Sequence, residues 1–158
     1  MKCIANKTVV RVVYFDWSGT LARPGTRKRF IKGDASVMYP DTRPLLLHLQ
    51  KLGYRCGIIS NTSNSARAFA RALEYHQLPI TAAVVCLGPP DGLPWRKPDE
   101  RAFYAALQQD QVFPHEALMI GDDETDDVFG ATRVGMHAVR IDRRKEGLLS
   151  LLSRFDIV

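Results

Sequence analysis

Cysteine is scarce in this chain, with only Cys3, Cys56 and Cys86 among 158 residues. The odd number, the wide spacing and the lack of a Cys-x-x-Cys pair argue against both a disulfide framework and a zinc site. Reduced thiols are expected, and Cys56 in RCGII and Cys86 in AAVVCL read as packing residues. His48, His76, His115 and His137 share no metal-ligand spacing. Long apolar runs are missing too: none approaches the ~20 residues that cross a bilayer. The opening MKCIANK has neither a long apolar core nor a small-residue cleavage site, so no secretory leader is expected. These absences point to a cytoplasmic protein with no membrane partner. No repeat, linker or low-complexity tract breaks the chain, so residues 1–158 are expected to form a single domain.

What is present is an ordinary globular composition, 46% hydrophobic and 25% charged, with a formal net charge of +5. That charge favours anionic partners in general. Much of it lies between Arg23 and Lys32, where RPGTRKRFIK carries five basic residues in ten. No aromatic stacking pattern accompanies them, so nucleic acid is not the expected partner. The segment reads either as a solvated basic loop or as a funnel for a phosphorylated substrate.

The order of elements suggests an α/β fold. Val9 to Phe15 is β-branched and aromatic, nearly all apolar, and stops abruptly at Asp16, as a central parallel strand does. Leu21 to Pro40 reads as an irregular loop. Further strands are expected at 55–59, 82–87, 117–120 and 137–141, and helices at 43–52, 64–76, 99–109, 125–133 and 145–155. Strands alternating with helices imply a doubly wound parallel sheet, which binds ligands at the carboxyl ends of its strands.

Four features fall at those ends: Asp16, Ser60, Lys97 and the acidic run Gly121-Asp122-Asp123-Glu124-Thr125-Asp126-Asp127. Their chemistry is complementary. Phosphoryl transfer needs an in-line nucleophile, a cation to neutralise phosphate oxygens, and donors that hold the moving group. A carboxylate can attack phosphorus and form an aspartyl-phosphate. Asp16, Asp122 and Asp127 together could hold Mg²⁺, a hard cation that relieves their repulsion. Ser60 offers a hydroxyl and an N–H at an expected helix amino end, and Lys97 a compact positive charge that can bridge phosphate and nucleophile. Singly, Ser60 reads as a helix cap, Lys97 as a solvated loop lysine and the acidic run as a surface turn.

In this order the residues resemble the haloacid dehalogenase-like superfamily over nearly the whole chain. YFDWSGTL is similar to its first motif and aligns Asp16 with the nucleophile. GIISNTS resembles the second, which implies phosphate binding by Ser60 with Asn61 beside it. WRKPDERAF resembles the third and assigns Lys97, and IGDDETDDVFGATRVGMHAV resembles the fourth. The resemblance implies catalytic roles for Asp16, Ser60 and Lys97, and phosphate binding by Ser60, Asn61 and Lys97. It implies Mg²⁺ binding by Asp16, the backbone carbonyl of Ser18, Asp122 and, directly or through water, Asp127. The expected fold is the family's Rossmann-like core, and the expected activity is that of a phosphatase or phosphotransferase.

Two departures stand out. The family's phosphatases carry a second aspartate two residues after the nucleophile as general acid and base; here that position is Ser18. General acid–base catalysis is typically worth ~10²–10⁴-fold, so alkyl phosphates should react slowly and activated phosphates much less so. A catalytically weak phosphate- and Mg²⁺-binding regulatory module is the alternative. The second departure is the lack of room for a sizeable cap between the motifs. An open site suits small or macromolecular phosphorylated substrates and leaves space for a second copy or a partner protein to cover it. The basic loop and Trp95 would line the entrance. DWSGT is also similar to the first motif of phosphonoacetaldehyde hydrolases, but those use a cap lysine for which this chain has no place. A metal-free dehalogenase would leave the acidic run uncompensated.

Overall fold

The computed structural model describes residues 9–24, 37–62 and 64–155. Five strands form one all-parallel sheet: β1 (Val12–Phe15), β2 (Arg55–Asn61), β3 (Val84–Leu87), β4 (Ala117–Gly121) and β5 (His137–Arg140), in the order β3-β2-β1-β4-β5. The central strand VVYF is buried on both faces, which is why it is a continuous apolar run rather than an alternating one. It begins at Val12, not Val9. The neighbours decide this: Val12 pairs with Arg55 and Ala117, the first residues of β2 and β4, and Arg11 closes this end, donating its N–H to the Glu116 carbonyl (2.8 Å) and accepting the Arg55 N–H (3.1 Å).

Five helices cover the sheet: α1 (Thr42–Lys51), α2 (Ala66–Tyr75), α3 (Glu100–Asp110), α4 (Gly130–Arg133) and α5 (Leu148–Ser153). Val13 and Phe15 of β1 pack with Leu45, Leu46 and Leu49 of α1, Phe69 of α2 and Leu148 and Leu151 of α5. Val12 and Tyr14 point the other way, to Phe103 and Leu107 of α3 and Ala131 of α4. The chain moves outward from β1 to β3 over the first face and returns to β4 and β5 over the second, as crossovers of one hand require.

Several boundaries differ from expectation for local reasons. α2 starts at Ala66, not Asn64, because Ser65 accepts the Ala68 N–H (3.1 Å) and Asp91 the Ala66 N–H (2.9 Å). α5 is shorter than 145–155 because Asp142 gathers the N–H groups of Arg144, Lys145 and Glu146 into a turn. The expected helix 125–133 is a π-helical turn, Glu124–Phe129, running into α4. The ends of the expected loop at 21–40 are paired: Arg23 N–H donates to the Val37 carbonyl (2.8 Å) and Tyr39 N–H to that of Leu21 (3.1 Å). Most of the basic stretch, 25–32, lies outside the described residues. Among the described residues no helix is long and apolar enough to cross a membrane.

Asp41 fastens α1 to α5. Its carboxylate takes both guanidinium arms of Arg143 and the Leu148 N–H (2.9 Å), while Arg143 stacks on Tyr39, 3.9 Å from the ring centroid. The Arg143 hydrogen bond holds the Asp41 carboxyl below its ordinary pKa. A depressed folded-state pKa means stability that is present above the unfolded value of about 4 and fades as pH falls through the folded one. Asp41→Asn should cost about 1–2 kcal/mol at neutral pH, the partial exposure of Asp41 trimming the effect. Denaturant midpoints of the two proteins should converge below pH ~4.

Candidate active site

Asp16 follows β1 directly, and its N–H still bonds the Ile120 carbonyl of β4 (2.9 Å), so the sheet fixes its backbone. The chain then coils. The Trp17 carbonyl accepts the N–H groups of Thr20, Leu21 and Ala22, and the Trp17 ring is buried edge-on against Phe69 at 4.7 Å. This turn leaves Ser18 exposed and brings Gly19, at φ +80°, against Asp122. A Cβ on Gly19 would sit 2.3 Å from Asp122 Oδ2, and one on Gly121 would sit 2.0 Å from Asp127 Oδ2. Both glycines are there to let carboxylates approach the backbone.

Lys97 is only 4% exposed, so it is not a solvated loop lysine. Its ammonium donates to Asp16 Oδ1 (2.9 Å) and Asp127 Oδ1 (2.5 Å). Asp127 Oδ2 accepts the Asp123 N–H (3.1 Å), which ties the acidic turn to the lysine. One oxygen each from Asp16, Asp122 and Asp127 lies within 4.8 Å of the others. Burial, with the Asp16 charge adding to it, pushes Asp127 up to about 6 against the pull of Lys97. Burial also raises Asp16 and Asp122, and each gains from a neighbouring carboxylate. For Lys97 burial works against the charge, but Asp16 and Asp127 overcome it and hold the ammonium protonated. Three carboxylates against one ammonium leave an excess of two negative charges, a donor set that suits a divalent cation with oxygen ligands.

Ser60 ends the buried part of β2, and among the described residues its hydroxyl makes just one long contact, 3.4 Å to the Asn61 carbonyl. It does not lie at a helix amino end as expected, since α2 begins six residues later and Ser65 and Asp91 occupy its first turn. Asn61 has a use that spacing could not reveal. Its side chain accepts the Lys97 N–H (2.8 Å) and donates to the Lys97 carbonyl (3.2 Å) and to Asp126 (3.3 Å), gripping the lysine's backbone. Arg140 at the end of β5 was likewise silent in the sequence; its Nε donates to the Asp122 carbonyl (3.0 Å). Trp95 is half-buried and packs against the Arg101 guanidinium, 5.2 Å from the ring centroid.

The tight contact at Gly121 gives a direct test. Gly121→Ala should force Asp127 off Lys97 and lower stability by about 1–3 kcal/mol, as overpacking generally does. Chemical denaturation of the purified variant reads this, and an unchanged midpoint would mean that Asp127 moves aside freely.

The family model for haloacid dehalogenase-like hydrolases matches residues 24–141 and so begins after the Asp16 turn. The glyceraldehyde 3-phosphate phosphatase of Pyrococcus abyssi is 34% identical over 100 residues, covering 63% of this chain and 40% of the relative. The phosphoserine phosphatase of Thermus thermophilus is 30% identical over 110 residues, 67% of this chain and 41% of the relative. The chain thus matches about two fifths of the length of these relatives. Among solved structures, a HAD phosphatase from Thermococcus onnurineus superposes with a TM-score of 0.68 at 23% identity, covering 87% of this chain and 89% of that one. The magnesium-bound HAD-hydrolase YfnB of Bacillus subtilis gives 0.71 at 12% identity, covering 94% and 99%. At such identities these structures speak for the fold alone. The match to the family model spans well over half of the chain and the sheet order agrees with it, so this protein belongs to the haloacid dehalogenase-like hydrolases.

Proposed function

We propose that the chain is a Mg²⁺-dependent phosphatase or phosphotransferase working through an aspartyl-phosphate on Asp16. The observation that carries this reading is the buried Lys97 ammonium, 2.9 Å from Asp16, within a cluster of three carboxylates at the strand ends. Phosphatase relatives support a phosphorylated substrate. Asp16, Asp122 and the Ser18 carbonyl would hold Mg²⁺, with Asp127 directly or through water. When bound, the ion neutralises phosphate oxygens and the crowded carboxylates.

The remaining roles belong to the chain. Lys97 keeps Asp16 ionised and oriented and offers a positive charge to the transferring group. Ser60 supplies its hydroxyl, and the Asn61 side chain fixes the backbone of Lys97. An Asp16 carboxylate oxygen attacks phosphorus as the bond to the leaving group breaks, and the departing oxygen keeps the electron pair. Water then attacks the phosphorus of the aspartyl-phosphate, giving inorganic phosphate and free Asp16. Ser18 cannot usefully protonate an alkoxide at neutral pH, so leaving groups that need no proton are favoured.

Phosphate release should therefore be measured from acetyl phosphate, an aryl phosphate and a simple alkyl phosphate, with and without chelator. Turnover of the first two, lost with chelator, and a deficit of roughly 10²–10⁴-fold on the third are expected. No turnover on any of them by folded protein would sink the phosphatase reading. Ser18 favours one other role, a phosphate- and Mg²⁺-binding regulatory module, which would bind phosphate analogues without releasing product.

A further inference from the structure

Arg96 is exposed and, among the described residues, its guanidinium has no carboxylate, carbonyl or ring as partner. Most other arginines here are committed: Arg55 to Asp110, Arg101 to Asp99, Arg133 to Glu100, Arg143 to Asp41. Among the described residues Arg67, Arg71 and Lys51 also lack partners but sit on helices. Arg96 differs in that its backbone is fixed beside the reactive centre. The next residue is Lys97, whose N–H is held by Asn61, and the Arg96 carbonyl accepts the Asp99 N–H (2.9 Å).

The head group is also placed. It lies over Gly88 just past β3, where a Cβ would come within 2.8 Å of Arg96 Nη1 and 3.3 Å of the Thr62 carbonyl. Gly88 has φ +100°, so both its backbone and the space above it exclude a side chain. Thr62 is two residues beyond Ser60 and its N–H bonds the Leu87 carbonyl (2.9 Å). Arg96 therefore presents an unpaired fork at the carboxyl edge of β2 and β3, on the rim of the site that holds Ser60 and Lys97. An unpaired fork of this kind matches the planar oxygens of a carboxylate or phosphate.

We propose that Arg96 is a specificity-determining residue that binds a second anionic group, a carboxylate or a phosphate, on the non-reacting part of the substrate. This rests on the phosphatase reading, which places the first phosphate at Ser60 and Lys97. The second group touches no reacting atom, so its contribution is uniform binding and appears in affinity rather than turnover.

The test is calorimetric titration, in Mg²⁺, of non-hydrolysable phosphonates. The ligands are para-carboxybenzylphosphonate, its neutral carboxamide and para-xylylene bisphosphonate; the proteins are wild type, Arg96→Lys and Arg96→Met. Wild type should bind at least one doubly anionic ligand roughly 10-fold tighter than the carboxamide. Whichever of the two is tighter identifies the second group. The preference should vanish in Arg96→Met, survive in part in Arg96→Lys, and leave carboxamide affinity unchanged in both. Equal binding of all three ligands by wild type, or a preference that persists in Arg96→Met, overturns the subsite while the phosphate site stands. Binding of none of the three overturns both.

Discussion

The Asp16→Asn variant should release no phosphate from acetyl phosphate above background, a loss on the order of 10⁴-fold or more, yet melt no lower than wild type in chelator. The kinetic half follows from the proposed mechanism. An amide is a poor nucleophile towards phosphorus, and removing a nucleophile generally collapses the rate to what binding alone provides. The thermal half follows from the electrostatics. Asp16 is buried beside Asp122, and its pKa is raised by burial above all. A raised carboxyl pKa means that the ionised form weakens the fold as pH climbs past the unfolded value of about 4. Asparagine removes that charge and keeps a group that can still accept from Lys97. On that reading the crowded carboxylates weaken the metal-free fold, and the variant should lose activity without losing stability. Added Mg²⁺ should raise the wild-type melting temperature and raise that of the variant much less. A variant that retains turnover would mean that another group attacks phosphorus.

The residues that meet in this site were legible to different degrees. Asp16, Ser60 and Asp122 could be found because each stands at the end of an apolar run, and a parallel sheet brings such ends together; Lys97 follows a Pro- and Gly-rich loop and Asp127 lies inside the acidic run, and their charge and order along the chain singled them out. The strand and helix series was legible for the same reason, since buried parallel strands are short apolar blocks. What the sequence hid depends on which ends become neighbours. Asn61 grips Lys97 because the two cross 36 positions of chain to hydrogen bond, and no spacing announces that. Arg140 reaches the Asp122 carbonyl because β5 lies beside β4. The π-helical turn at Glu124–Phe129 was missed because Asp123, which accepts the Thr125 and Asp126 N–H groups, looks in sequence like any other acid of its run. The first strand is shorter than its apolar run because composition does not say where its partners begin.

The Ser18→Asp variant should speed phosphorylation of the protein by a simple alkyl phosphate roughly 10²–10⁴-fold and by acetyl phosphate far less. Ser18 is exposed in the turn that presses Gly19 against Asp122, so a carboxylate there would be hydrated and free to exchange protons with the site's mouth. Its exposure also limits repulsion with Asp16 and Asp122. In the proposed cycle such a group acts twice, protonating the leaving oxygen and then taking a proton from the attacking water. Serine does neither. An activated substrate escapes the first deficit but not the second, because the aspartyl-phosphate formed is the same from every substrate. Wild type with acetyl phosphate should therefore show a rapid burst of protein phosphorylation followed by slow release of phosphate, and Ser18→Asp should abolish the lag between the two. Rapid-quench measurement of acid-stable, hydroxylamine-labile phosphoprotein separates the steps. A burst without any later release would favour the regulatory module, since the site would then charge and hold phosphate without turning over. Release as fast as the burst in wild type would mean that some group other than residue 18 activates the water, and any gain on the alkyl ester would then report protonation of the leaving oxygen alone.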